Sequence, residues 1–176
     1  MIQSDPIIDE VQENEVKLLS VIAKKTFREA FEAQNHPIDF QLYISKAFSY
    51  ERLYQEWSNK NTTFYFCHLD GHLVAYFKIN LAGAQSEFQK DNGLELERIY
   101  VISEYQKQGI GKQLLDYVLK LAKSRKMSYV WLGVWQENLR AIRFYEQNGF
   151  QKTGTHPYYI GSDKQTDWLM RKDIMI

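Results

Sequence analysis

The chain has 176 residues, 44% hydrophobic and 25% charged, a balance that suits one globular domain with a sizeable core and excludes a disordered chain. Its 22 basic and 22 acidic side chains cancel, which argues against a nucleic-acid binder with a basic excess. No apolar run is long enough to span a membrane, the acidic stretch MIQSDPIIDEVQENE has no signal-peptide core, and the single Cys67 permits no intramolecular disulfide, so a reducing cytoplasm is compatible.

Apolar residues at helical spacing, from Leu18 and Leu19 to Phe27 and Phe31, predict an amphipathic helix over about 15–33 with Asn14 as its N-cap. Pro37 breaks that pattern. Asp39 is expected to cap a second helix to about Phe48, and Ser49 a third ending near Asn59. The run 62–69 is rich in aromatic and β-preferring residues and predicts a strand, with Cys67 packed inside it. Asp70-Gly71 is a two-residue hairpin signal, because both positions favour positive φ, and 72–81 is the returning strand. A polar loop at 82–92 leads to a strand at 94–101, a helix from Gly109 to about Arg125, a strand at 129–134 and a helix from Asn138 to Asn148. Gly149 suits the left-handed position that stops this last helix. Two terminal strands are expected near 151–160 and 167–172. No repeat, linker or low-complexity tract divides the chain, so residues 1–176 read as one domain of mixed α and β structure.

The run LELERIYVISEYQKQGIG at 94–111 carries the strongest chemical signal. A glycine-rich turn that opens a helix leaves backbone N–H groups unpaired at the positive end of the helix dipole, which suits a pyrophosphate. A P-loop would require Gly at 106 and Ser or Thr at 113, yet both are Gln. A dinucleotide fingerprint would require Gly at 114, which is Leu. The hexapeptide Gln106-Lys107-Gln108-Gly109-Ile110-Gly111 instead fits Gln/Arg-x-x-Gly-x-Gly/Ala, and a second run, from Asn138 through Tyr145 to Gly149-Phe150, lies about 30 residues further on.

Together with the order of elements, these two runs resemble the GNAT superfamily of acetyl-CoA-dependent N-acetyltransferases. TFREAFEAQN, KAFSYERL, WLGVWQEN and HPYYIGSDKQTDWLMRK are similar to the bacterial PaiA-type enzymes, which act on spermidine and spermine. The resemblance implies an α/β (mixed α+β) acyl-CoA N-acyltransferase fold, with a central mixed, mostly antiparallel sheet flanked by helices. It implies acetyl-CoA as co-substrate, an amine acceptor and a homodimer. It places the pantetheine arm against the backbone of Ile99, Tyr100 and Val101, the pyrophosphate on Gln106, Lys107, Gln108, Gly109, Ile110, Gly111 and Lys112, and Asn138 and Tyr145 beside the CoA arm. Lys107 and Lys112 also read as ordinary exposed lysines at a helix start, and Asn138 as an N-cap.

Acetyl transfer needs a deprotonated amine, a polarised thioester and a protonated leaving thiolate. By the resemblance, Tyr145 is the general acid, since a phenol stays protonated at neutral pH. Glu95 is the first candidate base and Glu97, on the same strand face by alternation, the second. Both also read as solvated strand carboxylates paired with Arg98 or a lysine. Glu29 and Glu32 on the N-terminal helix and the aromatic face of Trp135 are candidate contacts for a cationic acceptor, although taken singly each reads first as part of a solvated helix face or as an ordinary core or dimer-contact aromatic. The four histidines have no metal-ligand spacing, and no metal is expected. Polyamine acetylation is the first functional reading. A protein N-terminus, a lysine or an aminoglycoside as acceptor is the second, and a non-enzymatic CoA-responsive regulator the third.

Overall fold

The protein is described here by a computed structural model covering residues 5–175. A short strand β1 (Ile7–Glu10) is followed by three helices, α1 (Val16–Phe31), α2 (Pro37–Ala47) and α3 (Tyr50–Trp57). Strands β2 (Thr62–Leu69), β3 (His72–Leu81) and β4 (Gly93–Val101) precede α4 (Ile110–Ser124), β5 (Tyr129–Trp135), α5 (Leu139–Gln147), β6 (Gln151–Ile160) and β7 (Asp163–Asp173). Among the described residues the strands form one sheet in the order β1-β2-β3-β4-β5-β7-β6. Only β4 and β5 pair in parallel, joined by the α4 crossover, so the sheet is mixed and mostly antiparallel as expected.

The sheet separates two apolar layers. On one face, Ile110, Leu114, Leu115 and Val118 of α4 and Ile142 and Tyr145 of α5 pack on Leu94, Leu96, Leu132 and Val134. On the other, Leu19, Ile22 and Phe27 of α1, Phe40 and Ile44 of α2 and Leu53 of α3 pack on Phe64, Phe66 and Tyr76. Side-chain alternation along each strand supplies both layers from the same sequence.

Local chemistry explains the boundaries that differ from expectation. The first helix is not capped by Asn14: Gln12 N–H donates to Glu15 Oε2 at 2.8 Å, a short 3₁₀ turn covers Glu13–Glu15, and α1 begins at Val16. The second begins at Pro37, with His36 as N-cap and Asp39 inside its first turn. Proline has no N–H to lose at the first helical position, so it opens this helix instead of only closing the previous one. Ser49 does cap α3, accepting from Arg52 N–H at 3.1 Å. Asp70 and Gly71 adopt φ of 50° and 78° at the β2–β3 turn, as their residue types demand. Strand β1 was missed because it is a four-residue, mostly exposed edge strand held by pairing with β2. Strand β7 starts four residues earlier than 167, because its hairpin with β6 extends to the Ile160–Asp163 pair.

Two irregularities shape the middle of the sheet. Lys78 pairs with Arg98 and Ile79 with Leu96, so Glu97 is the extra residue of a β-bulge. The bulge turns Glu97 and the following Arg98 to one face, above the layer built by α1, α2 and α3. Strands β4 and β5 pair only from Gly93–Tyr129 to Glu95–Trp131, and beyond that point no ladder joins them.

Candidate active site

The gap between β4 and β5 is the centre of the site. Past Glu95, β4 stays paired with β3 and β5 stays paired with β7, so the facing edges of both strands carry backbone groups without a strand partner. Such groups inside a protein require hydrogen-bonding partners, and an extended ligand with amides of its own can supply them as an added strand does. A groove of about 540 Å³ runs from this gap to the start of α4. Its walls include Ile99, Tyr100 and Val101 on one side and Asn138, Ala141, Phe144 and Tyr145 on the other.

At the outer end of the groove, Lys107 and Gly109 take positive φ of 63° and 83°, and α4 starts at Ile110. Gly109 is the N-cap and no side chain caps the helix, so its first N–H groups remain available to an anion. A Cβ at Gly109 or Gly111 would meet no atom within 4 Å, so the space beside both is open. Gln106 closes the turn: its Nε2 donates to Val101 O at 2.9 Å, and its Oε1 accepts from Arg140 Nη1 at 3.2 Å. Lys107, Gly109, Ile110, Gly111 and Lys112 all line the groove, and Lys112 is ion-paired with Asp116 one turn on. Gln108 does not line it; its amide donates to Glu104 O at 3.3 Å.

Tyr145 stands where this groove meets a second cavity of about 230 Å³, and Ile99, Tyr100, Asn138 and Ala141 line both as well. Helix α5 aims Tyr145 inward because Asn138 Oδ1 accepts Ala141 N–H at 3.1 Å and fixes the first turn. The side chain is 7% exposed, and its hydroxyl has no hydrogen-bond partner among the described residues. Burial pushes the phenol well above its ordinary range, so it remains a proton donor at every physiological pH.

The second cavity lies on the helix α1–α2 side and is lined by Phe27, Tyr43, Glu97, Arg98, Trp135 and Tyr158, among others. The Tyr43 and Tyr158 hydroxyls are hydrogen-bonded to each other, and burial raises both phenols. Below them is a compact charge network. Glu56 Oε2 accepts from Lys78 Nζ at 2.9 Å and faces Arg98 Nη1 at 3.0 Å, while Glu97 is paired with Lys78 and with Arg98 Nη2 at 3.2 Å. Burial alone would raise the Glu97 carboxyl, but Arg98 and Lys78 hold it down at about 2. Glu95 is different. It is 2% exposed, accepts from Asn80 Nδ2 at 2.9 Å and Ser86 N–H at 2.9 Å, and is raised by burial and by the charge of Glu97. Glu95 and Glu97 do share a strand face, since Asn80 bonds both, yet only Glu97 reaches the cavity wall.

The expected acceptor contacts divide in the same way. Trp135 lines the cavity and packs edge-on against Phe31 at 6.3 Å between ring centroids. Glu29 lines the groove instead; it accepts Ser103 N–H at 3.0 Å and pairs with Lys25 at 3.5 Å. Glu32 lies on an exposed 3₁₀ turn and borders neither cavity. Residue periodicity put these glutamates on the helix, but the helix turns that face past the cavity.

One cavity residue escaped the sequence reading. Asp167 on β7 lines the cavity, and its Oδ1 is buried without a hydrogen-bond partner among the described residues. Burial pushes its carboxyl up to about 6, against the opposing charge of His156. His156 Nε2 lies 3.9 Å from Asp167 Oδ2, and His156 Nδ1 lies 3.2 Å from Glu87 Oε1. The only local signal was an acidic residue directly before the apolar run Trp168-Leu169-Met170 in the middle of β7.

The comparisons with known proteins agree with this architecture. Residues 24–150 match the acetyltransferase (GNAT) family. The chain is 33% identical over 168 residues to the uncharacterized N-acetyltransferase in the pepI 3' region of Lactobacillus delbrueckii subsp. lactis, spanning 96% of this chain and 97% of that one. It is 31% identical over 86 residues to the spermine/spermidine N(1)-acetyltransferase of Bacillus subtilis strain 168, covering 48% of this chain and 57% of the relative. In three dimensions it is similar to the PaiA N-acetyltransferase of Thermoplasma acidophilum, solved in complex with coenzyme A, with a TM-score of 0.77, 22% identity and coverage of 97% and 99% of the two chains. With a family match over most of its length and a full-length relative at one-third identity, the chain belongs to the GNAT family of acetyltransferases.

Proposed function

We propose that the protein transfers the acetyl group of acetyl-CoA to a primary amine, by direct attack in a ternary complex, and that the acceptor is a small aliphatic polyamine such as spermidine or spermine. The observation that carries the reading is the meeting of the two cavities at Tyr145. One opening suits a long phosphate-bearing thioester and the other a separate acceptor, so the reacting atoms come together beside a buried proton donor.

The pantetheine amides pair with the free edge of β4 at Ile99–Val101, and the pyrophosphate sits on the N–H groups of the Lys107–Lys112 turn. The amine attacks the thioester carbon, and the C–S electron pair departs to sulfur. The Tyr145 hydroxyl protonates that thiolate. Glu97 on the cavity wall, held ionised by Lys78 and Arg98 and neutralised by them, is too weak a base to deprotonate an ammonium. Glu95 supports that wall through the amide of Asn80 that it shares with Glu97.

The polyamine assignment draws support from the Bacillus subtilis relative and from the lining of the acceptor cavity. The charges of Glu97 and Arg98 are balanced within their own network, which leaves Asp167 as a carboxylate facing the cavity among the aromatic rings of Tyr43, Tyr158 and Trp135. Carboxylate and aromatic faces together favour an ammonium. The test is thiol release and product mass with spermidine and spermine beside a lysine peptide, a free protein N-terminus and an aminoglycoside. Saturable acetylation of the polyamines is expected. Turnover confined to the peptides or the aminoglycoside would overturn the polyamine assignment and keep the transfer chemistry.

A further inference from the structure

We propose that Asp167 is the base that removes the proton from the acceptor ammonium, with His156, anchored by Glu87, as the positioning residue that holds it. This rests on the acetyl-transfer reading above and names the proton acceptor that reading lacks.

The argument proceeds by elimination among the carboxylates near the splayed strands. Glu95 is enclosed by Asn80 and Ser86 and has no surface on the cavity. Glu97 reaches the cavity, but two cations already bind its oxygens. Glu56 is fully engaged by Arg52, Lys78 and Arg98. Asp167 differs from all three, since it lines the cavity, has no lysine or arginine partner, and keeps Oδ1 buried and unbonded. A buried carboxylate oxygen without a donor is costly, and an incoming ammonium N–H satisfies it.

The neighbouring backbone makes room for that approach. Asp167 pairs across the sheet with Trp135 of β5 and His156 of β6. Two residues before Trp135 stands Gly133, and a Cβ there would lie 3.4 Å from Asp167 Oδ2 and 3.8 Å from His156 Nε2. Gly133 adds no side chain of its own beside Asp167 on this stretch of the cavity wall. The other ionisable groups around the cavity are Glu97, Arg98 and Tyr100 on β4, Tyr43 on α2, Tyr145 on α5 and Tyr158 on β6. All four phenols are raised by burial and are neutral near pH 7. An Asp at about 6 is ionised at neutral pH and basic enough to accept a proton, close to the optimum for a base working there.

The protons balance as follows. The ammonium gives one proton to Asp167 and becomes an amine. Its lone pair forms the N–C bond, the C–S bond breaks with its electrons on sulfur, and Tyr145 protonates the thiolate. The nitrogen then loses its second proton, which restores the phenol, and the proton on Asp167 leaves to solvent.

The experiment is kcat/KM against pH between 5 and 8.5 with spermidine, whose ammonium groups stay charged through most of that range. The native protein is expected to lose activity below about pH 6 as Asp167 is protonated. Asp167→Asn should lower kcat/KM by about 10²- to 10⁴-fold and abolish that acid limb, with CoA affinity and melting temperature at least native. His156→Gln should move the limb to higher pH, because the ring lowers the Asp167 pKa. A purely structural role would reduce the rate without moving the limb, and that result overturns the assignment, as does an Asp167→Asn enzyme with near-native kcat/KM. No thiol release by the native protein with any amine would instead overturn the acetyl-transfer reading itself.

Discussion

Glu95 faces Trp131 in the last pair of the β4–β5 ladder, and the two strands part beyond it. Each residue is buried and tied to the 82–92 loop: Glu95 by Ser86, and Trp131 by a hydrogen bond from Nε1 to Gln85 Oε1 at 2.7 Å. The pair therefore marks a fixed end to a short parallel ladder. At its other end, a Cβ on Gly93 would fall 2.6 Å from the ring of Tyr129, so any side chain there would have to displace that ring. The gap beyond Glu95 and Trp131 therefore starts from residues fixed by packing against the 82–92 loop.

Replacing Tyr145 with Phe removes a donor while keeping a buried ring of nearly the same shape. Turnover is expected to fall by about 10²- to 10⁴-fold with little change in acetyl-CoA affinity. Single-turnover kinetics and CoA titration check the two halves separately. Unchanged turnover would remove Tyr145 as the acid.

Gly109 holds φ at 83° in open space, so Gly109→Ala meets backbone strain and no steric clash. The strain costs about 1–2 kcal/mol and is felt in the turn that presents the helix N-terminus. The KM for acetyl-CoA should rise several-fold, while the KM for the amine is unchanged. Gly111→Asp, which places negative charge in the same cradle, should weaken acetyl-CoA further, and isothermal titration with CoA measures both.

Glu97→Gln leaves Lys78 and Arg98 short of one counter-charge in a buried setting. A loss of about 3–5 kcal/mol of stability is expected, since unpaired buried cations are expensive. The native pair also has a pH signature. Glu97 titrates at about 2 when folded and near its ordinary value when unfolded, so its stabilisation is complete above the unfolded value and is lost as pH falls towards 2. Urea midpoints between pH 5 and pH 2.5 should converge for the native and Glu97→Gln proteins.

Asp167→Asn should have the opposite effect. Its folded carboxyl sits at about 6, above the ordinary value of 3.8, so the ionised form is a burden on the fold at neutral pH. The variant is expected to be more stable than native at pH 7.5 by on the order of 1–3 kcal/mol, and the difference should vanish below about pH 4. Paired thermal melts at the two pH values test it. A more stable yet inactive variant is the pattern of a functional group kept at the expense of stability.

Much of the molecule was legible in its amino-acid order, because the features concerned are local. The Asp70-Gly71 turn, the Ser49 cap, the apolar stripe of α4 and the Gln106–Gly111 turn each depend on residues a few positions apart, and backbone sterics and helix geometry decide them. The strand–turn–helix proposed to hold a pyrophosphate is of this kind. Tertiary structure alone decided which carboxylates line the cavity on the α1–α2 side. Glu95 and Glu97 are equivalent by alternation, but Ser86 and Asn80 enclose one, while Lys78 and Arg98 neutralise the other. Glu29 sits on the predicted helix and is turned into the groove that runs to the start of α4, and Asp167 gains its raised pKa from burial, against the opposing charge of His156 on the adjacent strand. Burial and counter-charge are set by groups far apart in the chain, so the character of a carboxylate becomes definite only once the sheet has brought those groups together.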